Sequence, residues 1–284
     1  VPIQFSFYNR ADAATLSAGS WQAGAPLANL QQEFLSLRAR STNDDAASTQ
    51  FRVDLGNTTT IVRLLAIARH NLSTDATYRI TAGTTAGASD VYDSGTLDVW
   101  PAVYLPQELE WEDDNFWTGQ IAASETEGYP ISLEHDCGEN VRARYWTLAF
   151  TDTTNPDGYV ELARLWMGPI WEPLRSFAYG AAFGWEARDV SEQSLGGVLF
   201  HDRRDPARVL RFTLKALTTT EALGAVLDAQ RRLGTAGQLW VRPDPADTAR
   251  AFKRNFLAHS RRVDPITQAF RNLHEVSYEL EEIL

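Results

Sequence analysis

Between Leu27 and Ile170 the sequence is cut into short apolar runs by clusters of Gly, Asn, Asp, Thr and Pro, and this spacing constrains the fold more than any other feature. In "FRVDLGNTTTIVRLLAIARHNLS", Phe51 to Ser73, the residues Phe51, Val53 and Leu55 alternate with Arg52 and Asp54, the period of a strand buried on one face. Gly56-Asn57 then turns the chain. Ile61 to Ala68 is apolar on both faces over its second half, as in a central strand covered from both sides. Tyr78 to Ala82 reads as a further strand, and "DVYDSG" places an aromatic before a Gly turn. In "RARYWTLAFTD", Ala143, Tyr145, Thr147 and Ala149 share one face and Arg144, Trp146, Leu148 and Phe150 the other. "TNPDG" is expected to reverse the chain and "YVELARLWMG" to return it as a hairpin. Helical periodicity is scarce here, so the expectation is a β-sandwich.

The character changes after Gly168. The Pro-bracketed "PIWEP" reads as a boundary, dividing the 284 residues into parts 1–168 and 169–284. The first part carries 10 basic against 22 acidic residues and the second 16 against 15. Two strands are expected in "SFAYGAAFGWEARDV" and "RVLRFTLKAL", the latter alternating Leu210, Phe212, Leu214 and Ala216 against Arg211, Thr213 and Lys215. Thr218-Thr219-Thr220-Glu221 has capping-box spacing, Leu223, Val226, Leu227 and Leu233 fall near one face, and Gly234 ends a helix. "QLWVRPD" and "EVSYELEEIL" complete a β-β-α-β-β order. The fold class is therefore mainly β: a sandwich, then an α+β part with one amphipathic helix.

Several function classes lose their warrant. A net charge of −11 with no basic stripe argues against sequence-specific nucleic-acid binding. No apolar run approaches the roughly 20 residues that span a bilayer, and Val1-Pro2-Ile3-Gln4 lacks a signal-peptide layout, so a soluble, unsecreted product without membrane insertion is expected. The single cysteine, Cys137, has no intrachain partner and is read as an inert thiol. Phosphate-binding glycine loops, G-x-S-x-G and H-E-x-x-H are absent, and the histidines at 70, 135, 201, 259 and 274 are scattered singly. No catalytic residue, cofactor or resident metal is expected. A glycan-degrading enzyme would need two carboxylates about 5–10 Å apart across a cleft, a geometry outside the reach of sequence.

Two clusters remain. Asp152, Asn155 and Asp157 ahead of Gly158 offer hard oxygens that could suit Ca²⁺, but the order departs from an EF-hand, no closing Glu follows, and Pro156 stiffens the middle. A turn in which Asp and Asn bond their own backbone is the preferred reading. In "LEWEDDNFW", Trp111, Phe116 and Trp117 surround Glu112, Asp113 and Asp114. Aromatic faces beside carboxylates can stack on sugar rings and bond their hydroxyls; they also serve as packing or subunit contacts, which is the preferred reading here.

Together, "FRVDLGNTTTIVRLLAIARHNLS", "YRITAG", "YDSG" and "ARYWTLAFTD...GYVELARLWMG" resemble the galactose-binding-like, or discoidin-like, jelly roll in its phage-tail version, over roughly Trp21 to Gly168. The resemblance implies a "Y-W" strand paired with the "ELARLW" strand. The second part, through "RDPARVLRFTLKALTTTEALGAVLDAQRRLGTAGQLWVRPDP" and "YELEEIL", resembles the ring-forming domain of distal tail proteins of long-tailed bacteriophages. In that family the ring domain comes first and the accessory sandwich follows; here the order reads as reversed. The resemblance implies a structural virion protein assembled in the bacterial cytoplasm, a tail-tip or baseplate ring joining the tail tube to the host-binding apparatus and contacting other tail-tip proteins. A hexamer is preferred over a trimer because the tail tube is sixfold. The expected ring contacts are Arg208 and Arg211 against Glu279, Glu281 and Glu282, with Leu210, Phe212, Leu223 and Leu227 holding the subunit fold. The alternative is a carbohydrate-binding module that recognises a host surface glycan.

Overall fold

A computed structural model describes residues 2–126 and 128–284. The protein is mainly β and divides into two compact units, one comprising Tyr8–Ile170 and the other comprising the chain up to Phe7 together with Trp171–Leu284.

In the Tyr8–Ile170 unit the alternating runs form two main antiparallel sheets, beside the short pair Ala39–Arg40 and Glu161–Leu162. The larger has the order Thr15–Ser17, Phe51–Asp54, Tyr145–Thr151, Thr77–Gly83 and Tyr92–Asp98. The smaller places Ile61–Ile67 between Leu165–Gly168 and Leu133–Arg142. Phe51, Val53, Trp146, Leu148, Phe150 and Ile80 are buried on the first sheet, and Leu64, Leu65, Ala66 and Ile67 are all buried on the second, as expected of a strand covered on both faces. Leu65, Ile67, Leu133, Ile80, Leu148 and Phe150 line one small void, so the sheets meet face to face.

The "DLG" turn is structural. Gly56 has φ +70°, a conformation that side chains disfavour, and its N–H donates to Asp54 Oδ1 at 2.8 Å. Arg144 grips the same carboxylate through Nε (2.7 Å) and Nη2 (2.9 Å) and holds it below the usual carboxylate range.

The hairpin expected across "TNPDG" does not form. Tyr145–Thr151 pairs with Phe51–Asp54 and Thr77–Gly83, whereas Glu161–Leu162 pairs with Ala39–Arg40 and Leu165–Gly168 joins the opposite sheet beside Ile61–Ile67. The turn therefore carries the chain from one sheet to the other.

In the second unit the sheet order is Gln4–Ser6, Gln238–Arg242, Phe256–Ser260, Leu273–Glu282, Ala207–Thr218 and Ala182–Glu186, with Thr267–Phe270 also paired to Leu273–Glu282. Phe5, Trp171, Phe212 and Tyr278 form an aromatic cluster at centroid distances of 5.4–5.9 Å. The division expected at Gly168 assigned residues 1–168 to the sandwich. The first strand instead completes the other unit: Gln4, Phe5 and Ser6 pair with Arg242, Val241 and Trp240. The sandwich is thus an insertion after that strand rather than a preceding part. Its two ends meet within the unit, where the Arg10 N–H donates to the Met167 carbonyl at 2.6 Å.

The expected helix forms with its capping box. Glu221 accepts from Thr218 N–H (2.9 Å) and Oγ1 (2.8 Å), and Thr218 Oγ1 accepts from Glu221 N–H (3.3 Å). Its buried face differs from the expected one. The turns over Glu221–Val226 are π-helical, Ala222, Val226 and Ala229 are buried, and Leu223 and Leu227 are about half exposed, so the two leucines do not hold the core.

Candidate functional site

The acidic aromatic segment forms a loop on the sandwich unit between Tyr92–Asp98 and Leu133–Arg142. Trp111 and Trp117 are 72% and 81% exposed, whereas Phe116 is half-buried and meets Trp117 edge-on at 5.2 Å. Large aromatics held this far into water have no folding role, because burial is what stabilises them.

The loop is fixed by its backbone. The Val103 and Tyr104 N–H groups both donate to the Gly119 carbonyl, at 2.8 and 2.9 Å. Gly119 has φ +63°, and a Cβ there would lie 2.6 Å from the Tyr104 carbonyl oxygen, so glycine is required for two reasons. Gln120 Nε2 donates to the carbonyls of Thr74 (3.1 Å) and Trp100 (2.9 Å), tying the loop base to the sandwich. Asp113 accepts from the Glu110 N–H at 2.9 Å, while Glu112 and Asp114 face water. The result is a rigidly based loop presenting two indoles among carboxylates.

The Asp152, Asn155 and Asp157 cluster is a hydrogen-bonded clasp. Asp152 is buried and accepts from the Ser73 N–H (2.9 Å), the Ser73 hydroxyl and Asn155 Nδ2 (2.8 Å). Asp157 accepts from Asn71 Nδ2 at 2.8 Å, and its own N–H donates to Asn155 Oδ1. Internal donors occupy these oxygens, and among the described residues no group of three His, Cys, Asp or Glu could hold a metal.

The histidines do not converge. His135 bridges the sheets, with the Tyr78 and Tyr92 hydroxyls 3.2 and 2.7 Å from its two ring nitrogens, and burial pushes its pKa below the ordinary value despite Asp136. His70 is pushed down to about 4 by burial, against the opposing pull of Asp152. Burial likewise pushes the neighbouring Cys137 thiol up to about 12, away from the reactive thiolate.

The expected ring contacts separate into two groups. Arg208 and Glu282 are 1% and 2% exposed and pair with each other inside the second unit, Arg208 Nε to Glu282 Oε2 at 2.8 Å. They are not surface groups. Arg208 also donates to the carbonyls of Phe252 (2.7 Å) and Asn255 (3.2 Å). Arg211 pairs with Glu279 at 2.9 Å, and Glu281 with Arg261 and Arg188, so these three already hold partners within the chain.

Sequence reasoning missed a projecting arm. Val190–Gln193 and Leu199–Asp202 form a two-stranded hairpin paired only with itself, and from Ala187 to Pro206 every residue but Ser194 is exposed. Leu195 is fully exposed, Val198, Leu199 and Phe200 are more than half exposed, and Phe183 and Trp185 on the adjoining edge strand are nearly so. The Gly196-Gly197 pair between apolar residues was the available turn signal.

No protein-family model matches the chain, and no curated protein sequence matches it. Among solved structures, a family 89 glycoside hydrolase from Clostridium perfringens is similar at 15% identity and a TM-score of 0.36 over 56% of this chain, which spans only 14% of that enzyme. The family 32 carbohydrate-binding module of NanJ from C. perfringens, solved with galactose, matches at 13% identity and a TM-score of 0.38, covering 59% of this chain and 99% of the module. A fucolectin from striped bass serum matches at 12% identity and a TM-score of 0.36, covering 76% and 75%. Likenesses of this size assign neither an activity nor a ligand to the chain.

Proposed function

We propose that the protein is a non-enzymatic carbohydrate-binding protein whose contact is the loop bearing Trp111, Phe116 and Trp117. The observation that carries this reading is the pair of indoles kept exposed on a loop whose base is locked by Gly119 and Gln120. Flat indole faces stack on the C–H faces of a sugar ring, and nearby carboxylates accept its hydroxyl protons. Glu112 and Asp114 supply such acceptors. The sequence resemblance to galactose-binding-like sandwiches points the same way. The test is a glycan array followed by titration of the best ligand. Trp117→Ala should abolish the signal while changing stability by no more than about 0.5 kcal/mol, as expected of a surface substitution. An array without signal, or a variant that binds like the parent, would end this reading.

A second reading is favoured by the arm. A lone two-stranded hairpin is marginal in water, and this one exposes Leu195, Val198, Leu199 and Phe200 beside Phe183 and Trp185. We infer that it docks on a second copy and that the protein is a homo-oligomeric structural subunit of a phage tail tip, with a hexameric ring preferred over a trimer. In distal tail proteins the ring domain comes first; here its counterpart contributes only Gln4–Ser6 ahead of the sandwich, and Trp171–Leu284 follows it. The setting would be the virion, assembled in the bacterial cytoplasm, with the sandwich carrying the glycan contact outward. Light scattering on the full chain should give a closed oligomer, and Phe200→Asp combined with Leu199→Asp should give a folded monomer. A parent that is monomeric both free and in tails would exclude the ring.

A further inference from the structure

Although the protein carries a net charge of −11, the second unit contains a cleft of about 260 Å³ in which cations outnumber carboxylates. Its floor is the polar face of the strand pair Ala207–Thr218 and Leu273–Glu282. Arg211, Thr213 and Lys215 alternate along the first strand, and Glu279 and Ser277 stand opposite Arg211 and Thr213. Arg262, whose guanidinium is paired with Asp264 at 3.0 Å, closes one side, and the fully exposed Tyr179 ring is part of the lining.

The cleft's carboxylate is already neutralised. Glu279 is shared between Arg211 (2.9 Å) and Arg261 (3.3 Å), which together hold it below the ordinary range. Lys215 is exposed and makes no ion pair among the described residues. The Thr213 and Ser277 hydroxyls lie 2.9 Å apart on the floor, where one can donate to a bound group while accepting from the other.

Backbone strain singles out the same place. The pairing slips between Leu214 and Leu217, so that Lys215 and Ala216 together oppose Glu275, and Ala216 adopts φ +58°. A residue with a Cβ is disfavoured in that left-handed region, and a bulge re-aims the side chain beside it. Here that side chain is Lys215, which lines the cleft.

We propose that this cleft binds a small molecule through an oxyanion group, a carboxylate, phosphate or sulfate. The Lys215 ammonium supplies a point charge that forms no ion pair among the described residues, the Arg211 and Arg262 guanidiniums the N–H donors not already engaged by Glu279 and Asp264, and Thr213 and Ser277 a hydroxyl donor. The site is independent of the indole loop and of the arm, and it stands whether or not either of those readings holds.

The test is calorimetric titration of the full chain with phosphate, sulfate and citrate, each at constant ionic strength against sodium chloride so that general screening does not contribute. Saturable binding of at least one probe below about 10 mM is expected. Lys215→Gln should weaken it about tenfold, the loss of one charge-assisted contact, and Lys215→Gln with Arg262→Gln should remove it. Arg231→Gln, on the exposed helix, should bind as the parent does. The proposal is overturned if no probe saturates, if Lys215→Gln binds like the parent, or if Arg231→Gln weakens binding as much. Melting curves of each variant identify any loss caused by unfolding.

Discussion

At the scale of single residues, position parity decides which charges are structural. Arg208 shares its parity with Leu210, Phe212 and Leu214, and Glu282 shares its parity with Val276, Tyr278 and Leu280, so both point into the core. Arg211, Glu279 and Glu281 have the opposite parity and face outward. Grouping Arg208 with Arg211 on residue type alone ignored this period. The consequence is a large difference between neighbouring glutamates. Removing one partner of a buried pair leaves an uncompensated charge, so Glu282→Gln should cost about 3–5 kcal/mol. Arg208 would then retain the carbonyls of Phe252 and Asn255 and the Phe256 ring, with no carboxylate. Glu279→Gln breaks pairs with the more exposed Arg211 and Arg261 and should cost about 0–1 kcal/mol. Urea denaturation of the two variants measures the difference. Equal losses would mean that Arg208 and Glu282 are not paired in the dark of the core.

At the scale of elements, the sequence carried face assignments well and pairing poorly. Alternation in Phe51–Asp54, Tyr145–Thr151 and Leu273–Glu282 identified their buried sides, and the Thr218 to Glu221 spacing located the helix start. Period-two patterning records which side chains meet a core and leaves open which strand lies alongside. That is why Leu165–Gly168 was assigned to Tyr145–Thr151 and instead pairs with Ile61–Ile67. The helix was misread in another way: its π-helical turn and the small residues Ala222 and Ala229 set the buried face, leaving the larger Leu223 and Leu227 outside. The aromatic loop was legible because Trp, Phe and carboxylates fall within nine residues of sequence. The cationic cleft was not, since its lining comes from four separated segments and depends on a bulge at Lys215-Ala216.

At the scale of the whole molecule, the chain builds one unit from two separated pieces and the other from a single continuous piece. The sandwich contains both of its own ends, joined by the Arg10 to Met167 hydrogen bond, and has its own buried aromatic residues in Trp146, Trp166, Phe51 and Phe150. Residues 8–170 expressed alone should therefore give one cooperative melting transition. The second unit has no such independence. Without Gln4–Ser6, the strand Gln238–Arg242 loses its outer partner, Trp171 loses its bridge to Phe5, and the cluster of Phe5, Phe212 and Tyr278 loses its central ring. Deleting a fully buried Phe costs about 3–5 kcal/mol, a large part of the roughly 5–15 kcal/mol that holds a domain folded. Residues 171–284 alone should then be unfolded or molten by near-ultraviolet circular dichroism. Residues 1–7 joined to 171–284 by a short Gly-Ser linker should recover a native spectrum and a sharp transition. A native spectrum from 171–284 without the first strand would show that the strand is an accessory to the sheet rather than one of its folding elements.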